Sequence, residues 1–168
     1  MMLKRRQFLI AGSLIGLSSY IEAEVETTFE KKFKNVQYTI AAVQEHMFPS
    51  GSKIPSAKQT NVIHFLFDTV AHESYDKDIR AFIIEGAEEL MGRNKKSFIA
   101  MNNEEKEKAL RAYEQTNYGS SWLSRIMTVT MEGLFSAPIY GPNKHEIAWK
   151  SIDMYGGLPR PTVKYLEH

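Results

Sequence analysis

Apolar residues recur at helical spacing through most of the chain, and short polar stretches separate the runs. After a polar lead from Glu24 to Asn35, the first run predicts a helix that stops at Phe48-Pro49-Ser50-Gly51. Its apolar positions are Val36, Ile40, Val43 and Met47. A second helix is predicted from near Thr60 to His72, with an apolar stripe made of Val62, Ile63, Leu66, Thr69 and Val70.

Two further predicted helices carry recognisable end signals. The third begins at Asp76 and stops at Gly92, and its apolar positions are Ile79, Phe82, Ile83, Ala87, Leu90 and Met91. The fourth runs from Glu104 to Gln115, and Asn102 stands three residues before Glu105, which is the spacing of a capping box. We expect this helix to be largely exposed, since its apolar side is limited to Ala109, Leu110 and Tyr113.

The fifth predicted helix is expected to be central, and the chain beyond it is irregular. This helix follows Asn117-Tyr118-Gly119, with Ser120 or Ser121 as its N-cap. One face carries Trp122, Leu123, Ile126, Met127, Thr130 and Leu134. Glycine and proline are frequent beyond Phe135, so only His145 to Ile152 is predicted as a short helix. The sequence predicts an all-α, single-domain bundle of about five helices with an irregular Gly/Pro-rich C-terminal segment.

Length and composition fit one globular domain. The chain has 168 residues, of which 43% are hydrophobic and 24% charged. Lys and Arg total 21 against 20 Asp and Glu, so the formal net charge is +1 and there is no basic surplus for binding nucleic acid. Cysteine is absent, which excludes disulfides, thiolate metal sites and cysteine nucleophiles.

The N-terminus resembles a twin-arginine export signal. Arg5 and Arg6 stand just before Phe8 and Leu9, and an uncharged, mildly apolar run continues to Ile21. This run has 14 residues, about 21 Å as a helix, whereas a hydrocarbon core is roughly 30 Å thick. The run therefore predicts a targeting segment and not a permanent membrane span.

The export signal divides the chain into two predicted parts. The best small-residue cleavage position is Ala23. We therefore expect residues 1–23 to form the signal and residues 24–168 to form the exported helical domain. The expected location is the periplasm, and because the twin-arginine route carries folded cargo, its use indicates a partner that is assembled before export.

Motifs for a catalytic site are missing from the chain. There is no G-x-G-x-x-G, Walker loop or G-x-S-x-G. The five histidines show no His-x-x-x-His or Glu-x-x-His pairing, although His64 and His72 could share a helix face two turns apart. The alternative interpretation is a periplasmic helical metal-binding protein or enzyme that uses His64, His72 or His145.

The C-terminal third carries a resemblance to a known family. The motifs are Met131-Glu132-Gly133-Leu134-Phe135-Ser136-Ala137-Pro138-Ile139-Tyr140-Gly141-Pro142-Asn143, Ile147-Ala148-Trp149-Lys150 and Gly156-Gly157-Leu158-Pro159. In order and spacing they resemble the gluconate 2-dehydrogenase subunit 3 family, which includes small subunits of membrane-associated FAD-dependent sugar dehydrogenases. Two departures are Pro142 at the family's second glycine and Asp153-Met154-Tyr155 where Gly-Phe/Tyr-Pro is usual.

The resemblance implies a non-catalytic accessory subunit. Such a subunit binds a catalytic FAD-dependent sugar or polyol dehydrogenase, aids its maturation and supplies its signal for the twin-arginine translocase. The resemblance also implies no cofactor of its own, with FAD in the catalytic subunit, and a cytochrome c subunit in some complexes. Association with the inner membrane would then occur through the complex, and nucleic acid is not an expected partner.

Aromatic and other side chains in and near these motifs are the candidates for partner binding, since aromatic residues and methionine are enriched at interfaces. For the two tryptophans, interior packing is favoured over partner contact, because large aromatics usually bury. The candidates are Tyr118, Trp122, Phe135, Tyr140, Asn143, Trp149, Met154 and Tyr155.

Overall fold

Six α-helices provide most of the regular structure of residues 28–165, the part of the chain that the computed structural model describes. Helix α1 covers residues 28–47. The others are α2 (Val62–Ala71), α3 (Lys77–Gly92), α4 (Asn103–Glu114), α5 (Asn117–Leu134) and α6 (Ile147–Ser151). No β-strand occurs within residues 28–165, and the predicted all-α, single-domain fold is confirmed. The predicted export signal, with Arg5, Arg6, Phe8 and Leu9, lies outside the described residues.

Helix α5 is central, as predicted. It packs against α2, α3 and α4, and α1 joins it through Gln44, whose Nε2 donates a hydrogen bond to Thr130 Oγ1 at 3.0 Å. Both of these polar side chains are buried. The fully buried apolar side chains around them come from all five long helices and include Val36, Ile40, Leu66, Ile83, Leu90, Tyr113, Trp122 and Ile126.

The segment interpreted as a polar lead is instead helical from residue 28 onwards. Phe29 and Phe33 are both buried, and they extend the apolar stripe of α1 by two turns. Their rings pack against Phe67 of α2, with centroid distances of 6.2 Å and 5.0 Å. The prediction was wrong because the neighbouring lysines make the segment look polar. Phe29 and Phe33 are nevertheless four residues apart, which is a helical spacing.

The capping box predicted for α4 and the predicted end of α3 are confirmed. Asp76 Oδ1 accepts hydrogen bonds from the backbone N–H groups of Asp78 and Ile79, and α3 ends at Gly92 as predicted. Asn102 and Glu105 form a reciprocal capping box at the start of α4. Most of α4 is exposed, as expected, while Leu110 and Tyr113 reach the core.

The start of α5 differs from the prediction. Thr116, not Ser120 or Ser121, is the N-cap, and its Oγ1 accepts a hydrogen bond from Gly119 N at 2.9 Å. Gly119 therefore lies in the first turn of the helix and does not mark a loop. A Cβ added there would lie 2.1 Å from the carbonyl oxygen of Tyr113. Glycine thus allows α4 and α5 to approach closely at their junction.

The predicted inner face of α5 is correct except at Met127. Trp122, Leu123, Ile126, Thr130 and Leu134 are buried. Met127 is exposed, and the buried positions Val129 and Gly133 were not assigned to this face. The apolar character of Met127 suggested burial, but its position on the helix turns it toward solvent.

Residues 135–165, which we call the C-terminal strap, contain the irregular segment that the sequence predicts. Between residues 135 and 164 their regular structure is limited to two single 3₁₀ turns, Pro138–Tyr140 and Lys144–Glu146, and the five-residue helix α6. The short helix expected between His145 and Ile152 is therefore confirmed in substance. We call residues 28–134 the helical body.

Candidate functional site

Trp122 is an interior residue of the helical body. Its side chain is fully buried, its Nε1 donates to the carbonyl oxygen of Ile83 at 3.0 Å, and its ring lies 5.9 Å from that of Tyr113. A Cβ added at Gly86 would lie 2.0 Å from Trp122 Cδ1. The absence of a side chain at this glycine therefore makes room for the indole. Trp122 offers no surface to a partner in this structure.

Asn143 is also fully buried, and it fixes the shape of the strap. Its Nδ2 donates to the carbonyl oxygen of Ser136 at 3.0 Å, and its Oδ1 accepts from Ala148 N at 2.9 Å. One amide thus joins the chain leaving α5 to the first turn of α6. Its partners are internal, so the side chain acts as a brace in this structure.

Trp149 anchors the strap to the end of α5. Its Nε1 donates to the carbonyl oxygen of Phe135 at 2.9 Å, and the side chain is almost completely buried. The guanidinium carbon of Arg160 lies 4.6 Å from the indole ring and 5.0 Å from the ring of Tyr155. Arg160 Nη2 also donates to Glu146 Oε1 at 2.8 Å. The start of α6, through Glu146 and Trp149, and the loop that carries Tyr155 therefore converge on one arginine.

Gly156 permits this convergence. A Cβ built there would lie 2.3 Å from Trp149 Cη2 and 2.6 Å from Arg160 Nη1. No real Cβ contact is that short, and one of the two contacts is with a rigid aromatic ring. The absence of a side chain at Gly156 therefore allows the chain to pass directly over the indole.

Phe135 and Tyr140 are half-buried and connect the strap to its surroundings. Phe135 supplies the carbonyl oxygen that Trp149 binds. Tyr140 Oη accepts a hydrogen bond from Tyr165 N at 3.0 Å, and its ring makes an edge-to-face contact with Phe65 of α2 at 6.3 Å. Phe135 therefore holds α6 through its carbonyl oxygen, and Tyr140 joins the end of the strap to α2.

Tyr118 is separate from the other candidates, at the start of α5. Its ring makes an edge-to-face contact with Phe82 of α3 at 5.0 Å. Burial raises the pKa of the Tyr118 hydroxyl, and the nearby carboxylates of Glu85 and Glu89 raise it further. The phenol is therefore a neutral, partly exposed group on the surface between α3 and α5.

Met154 and Tyr155 are exposed, and further apolar side chains accompany them in the strap. Among residues 28–165, large apolar side chains classed as exposed number six in the strap and six in the much longer helical body. Those in the strap are Ile147, Met154, Tyr155, Leu158, Val163 and Tyr165, and those in the body are Tyr38, Met91, Ile99, Tyr118, Met127 and Met131.

Charge is also unevenly distributed between the two regions. The helical body contains 14 basic and 14 acidic residues, so its formal charge is zero. The strap has four basic residues and two acidic ones, a formal charge of +2; the basic ones are Lys144, Lys150, Arg160 and Lys164. The strap is thus both the more apolar surface and the source of the net positive charge of residues 28–165.

A family profile described as gluconate 2-dehydrogenase subunit 3 matches residues 34–157. The protein belongs to the gluconate 2-dehydrogenase subunit 3 family. No curated protein and no solved structure matches the chain. The family match includes most of the helical body and the strap as far as Gly157, while Leu158, Val163 and Tyr165 lie beyond it.

The histidines of this subunit 3 family member do not form a metal site in the described structure. His64 is exposed on α2, and His72 Nδ1 lies 2.7 Å from Ser74 Oγ. His145 is exposed in the strap, where its backbone φ is 58°. Within residues 28–165, no three His, Asp or Glu side chains are arranged so that they could hold a metal ion. The alternative interpretation based on these histidines gains no support from the geometry.

A separate groove of about 650 Å³ runs along α1. Its lining includes Tyr38 and Glu45 of α1, Ile99 and Lys106. Gln44 also lines it, but Gln44 Oε1 is buried and has no hydrogen-bond partner among the described residues. This groove serves as a reference surface on the helical body. Within residues 28–165, no helix combines the length and apolar character needed to span a bilayer.

The sequence analysis did not single out several strap residues that are exposed or that shape the strap in the structure. Arg160 was not singled out, although an arginine near a tryptophan and a tyrosine in a glycine-rich loop is a signal for stacking. Leu158, Val163 and Tyr165 were also missed, because proline and glycine around them suggested only a loop. Whether these side chains are exposed depends on the tertiary structure, and no periodic pattern in the sequence indicates it.

Proposed function

We propose that this protein is a non-catalytic accessory subunit of a FAD-dependent sugar or polyol dehydrogenase. The observation that carries the proposal is the family match over residues 34–157. The exposed Met154, Tyr155 and Tyr165 of the strap support it, because methionine and tyrosine are enriched at protein interfaces. The small subunit then contributes binding and folding assistance, and the partner subunit holds the FAD and the reacting groups. A cytochrome c subunit completes the proposed complex.

The proposed complex is exported to the periplasm by the twin-arginine route. In this proposal residues 1–23 are the signal, and Arg5, Arg6, Phe8 and Leu9 are the residues that the translocase reads. The accessory subunit carries the folded, FAD-loaded partner across the membrane. The mature complex associates with the inner membrane through its other subunits.

Co-expression with a candidate FAD-dependent dehydrogenase from the same organism tests the proposal. The test variant is Arg5→Lys with Arg6→Lys, and the matched control is Arg93→Lys with Arg111→Lys, two exposed arginines of the helical body. We expect the dehydrogenase to reach the periplasm with the wild-type subunit and with the control. With the test variant it should remain in the cytoplasm, as measured by activity and immunoblotting of cell fractions.

Two results would reject parts of this function. Equal export of the dehydrogenase with the test variant would remove the carrier role. Sugar oxidation by the purified small subunit, free of FAD and of any partner, would remove the non-catalytic role. Failure of the two wild-type chains to co-purify would reject the accessory role as a whole.

A further inference from the structure

We propose that the C-terminal strap is the surface on which the catalytic subunit docks, and that Arg160 holds this surface in its binding shape. This inference rests on the proposed function and specifies the interface that it requires. The contact face of the partner is inferred to be apolar at its centre and acidic at its rim.

The apolar side chains of the strap are exposed while its anchors are buried. Trp149 and Asn143 fix the backbone from below through hydrogen bonds to Phe135, Ser136 and Ala148. Met154, Leu158 and Tyr165 are left facing solvent. A buried scaffold under an exposed apolar surface is the arrangement of a preorganised binding site, since the shape exists before the partner arrives.

Arg160 is the positioning residue of this surface. Its guanidinium lies against both Trp149 and Tyr155 and pairs with Glu146, so it links its own segment to α6 and to the loop that carries Met154 and Tyr155. Lysine at this position would keep the charge. It would lose the planar group that stacks on two rings and binds a carboxylate at the same time.

The charge of the strap argues for a protein other than a second copy of this chain. In a symmetric dimer formed through the strap, the same surface of each copy would face the other, so two regions of charge +2 would meet. The predicted signal does not complement the strap either, because its Lys4, Arg5 and Arg6 are also positively charged. A partner with carboxylates around an apolar centre complements the strap.

The backbone of the strap argues for a protein partner and against a lipid bilayer. Only α6 and two single 3₁₀ turns are regular between residues 135 and 164. Burying such irregular backbone in hydrocarbon would leave many N–H and C=O groups without hydrogen-bond partners. A protein face can supply those partners and cover the apolar side chains as well.

The primary test compares two sets of three substitutions, each of which removes one methionine, one branched aliphatic side chain and one tyrosine. The strap set is Met154→Ser, Leu158→Ser and Tyr165→Ser, at side chains that are 59%, 73% and 79% exposed. The control set is Met91→Ser, Ile99→Ser and Tyr38→Ser in the helical body, where exposure is 42%, 50% and 67%. Each full chain is co-expressed with the flavoprotein dehydrogenase, and the affinity of the purified subunits is then measured by calorimetry.

We expect the strap set to weaken binding at least about tenfold and the control set to leave it within about twofold. Arg160→Lys should also weaken binding, while a circular-dichroism melt should show that the helical body still unfolds cooperatively. Association should slow as ionic strength rises, because the complementary charges are screened.

Four results would overturn the docking surface while leaving the accessory function intact. The first three are unchanged affinity with the strap set, equal loss with both sets, and strap-dependent binding to anionic phosphatidylglycerol vesicles without any effect on the dehydrogenase. A self-association of the wild-type chain that only the strap set abolishes would likewise overturn it. Absence of binding between the two wild-type subunits would instead reject the proposed function.

Discussion

The helical body and the strap use the same type of anchor with different results. In each region the indole N–H of a buried tryptophan donates to a backbone carbonyl: Trp122 to Ile83 in the body and Trp149 to Phe135 in the strap. The first ring is enclosed by helices. The second lies under Arg160, beside side chains that remain exposed. Burial of a large aromatic therefore forms the core in one region and supports a surface in the other.

Replacing each tryptophan by alanine is the strongest test of this difference. Trp122→Ala should lower the free energy of unfolding by about 3–5 kcal/mol, because it removes a fully buried ring from the core. Trp149→Ala should cost less, about 1–3 kcal/mol, and should reduce binding to the dehydrogenase more than its stability cost explains. Urea denaturation followed by circular dichroism, together with calorimetry of binding, measures both. Equal stability losses would show that the strap belongs to the core.

Glycine substitutions give a second, smaller contrast. Gly156→Ala should cost about 1–3 kcal/mol, because the new Cβ meets Trp149 and Arg160 in a packed site. Gly92→Ala is the matched control, since nothing lies within 4 Å of a Cβ at the end of α3. The control should be neutral or stabilising by up to about 1 kcal/mol. Thermal melts test the prediction, and similar melts for the two variants would contradict the stacked arrangement.

The smallest expected effect concerns pH and belongs to the helical body. A hydrogen bond from His46 at 2.8 Å, and then one from Arg111, holds the pKa of Glu107 below its ordinary value of 4.5. A lowered pKa in the folded state stabilises the fold above the ordinary value, and that contribution is lost as pH falls through the folded-state pKa. Because Glu107 is on the surface, the contribution is small.

Glu107→Gln should therefore lower the melting temperature slightly near neutral pH. The difference from the wild-type protein should disappear once the pH is well below 4.5. Glu88→Gln, at an exposed position of α3, is the control. A difference that persists unchanged at acidic pH would show that the ion pair is not its cause. Binding of the dehydrogenase should be unaffected near neutral pH, because Glu107 lies on α4 and not in the strap.

The sequence predicted the helices well wherever local signals marked their ends. Asp76 and Asn102 cap α3 and α4 through hydrogen bonds within a few residues, so their effect is visible in the sequence itself. The start of α5 was missed for the opposite reason. Gly119 was interpreted as a turn residue. In the structure a side chain at this position would clash with Tyr113 of α4, and such a tertiary constraint is not visible in the local sequence.

The candidate site was less predictable than the fold. Most of the residues in the family motifs lie in the strap, and they include both buried braces such as Asn143 and exposed residues such as Met154. Sequence alone does not separate the two, because both occur in the same glycine- and proline-rich segment. The stacking of Arg160 between two rings depends on the path of the backbone over Gly156, and no local pattern encodes that path.

The guanidinium stack has a consequence for how this molecule can diversify. The strap takes its shape from one arginine, two rings and a buried amide, whereas the helices of the body are held by their own backbone hydrogen bonds and caps. Residues such as Leu158 and Tyr165 can therefore be exchanged with little effect on the interior. Substitutions in the strap can therefore change partner choice while substitutions in the helical body change the stability of the fold, and the two can vary independently.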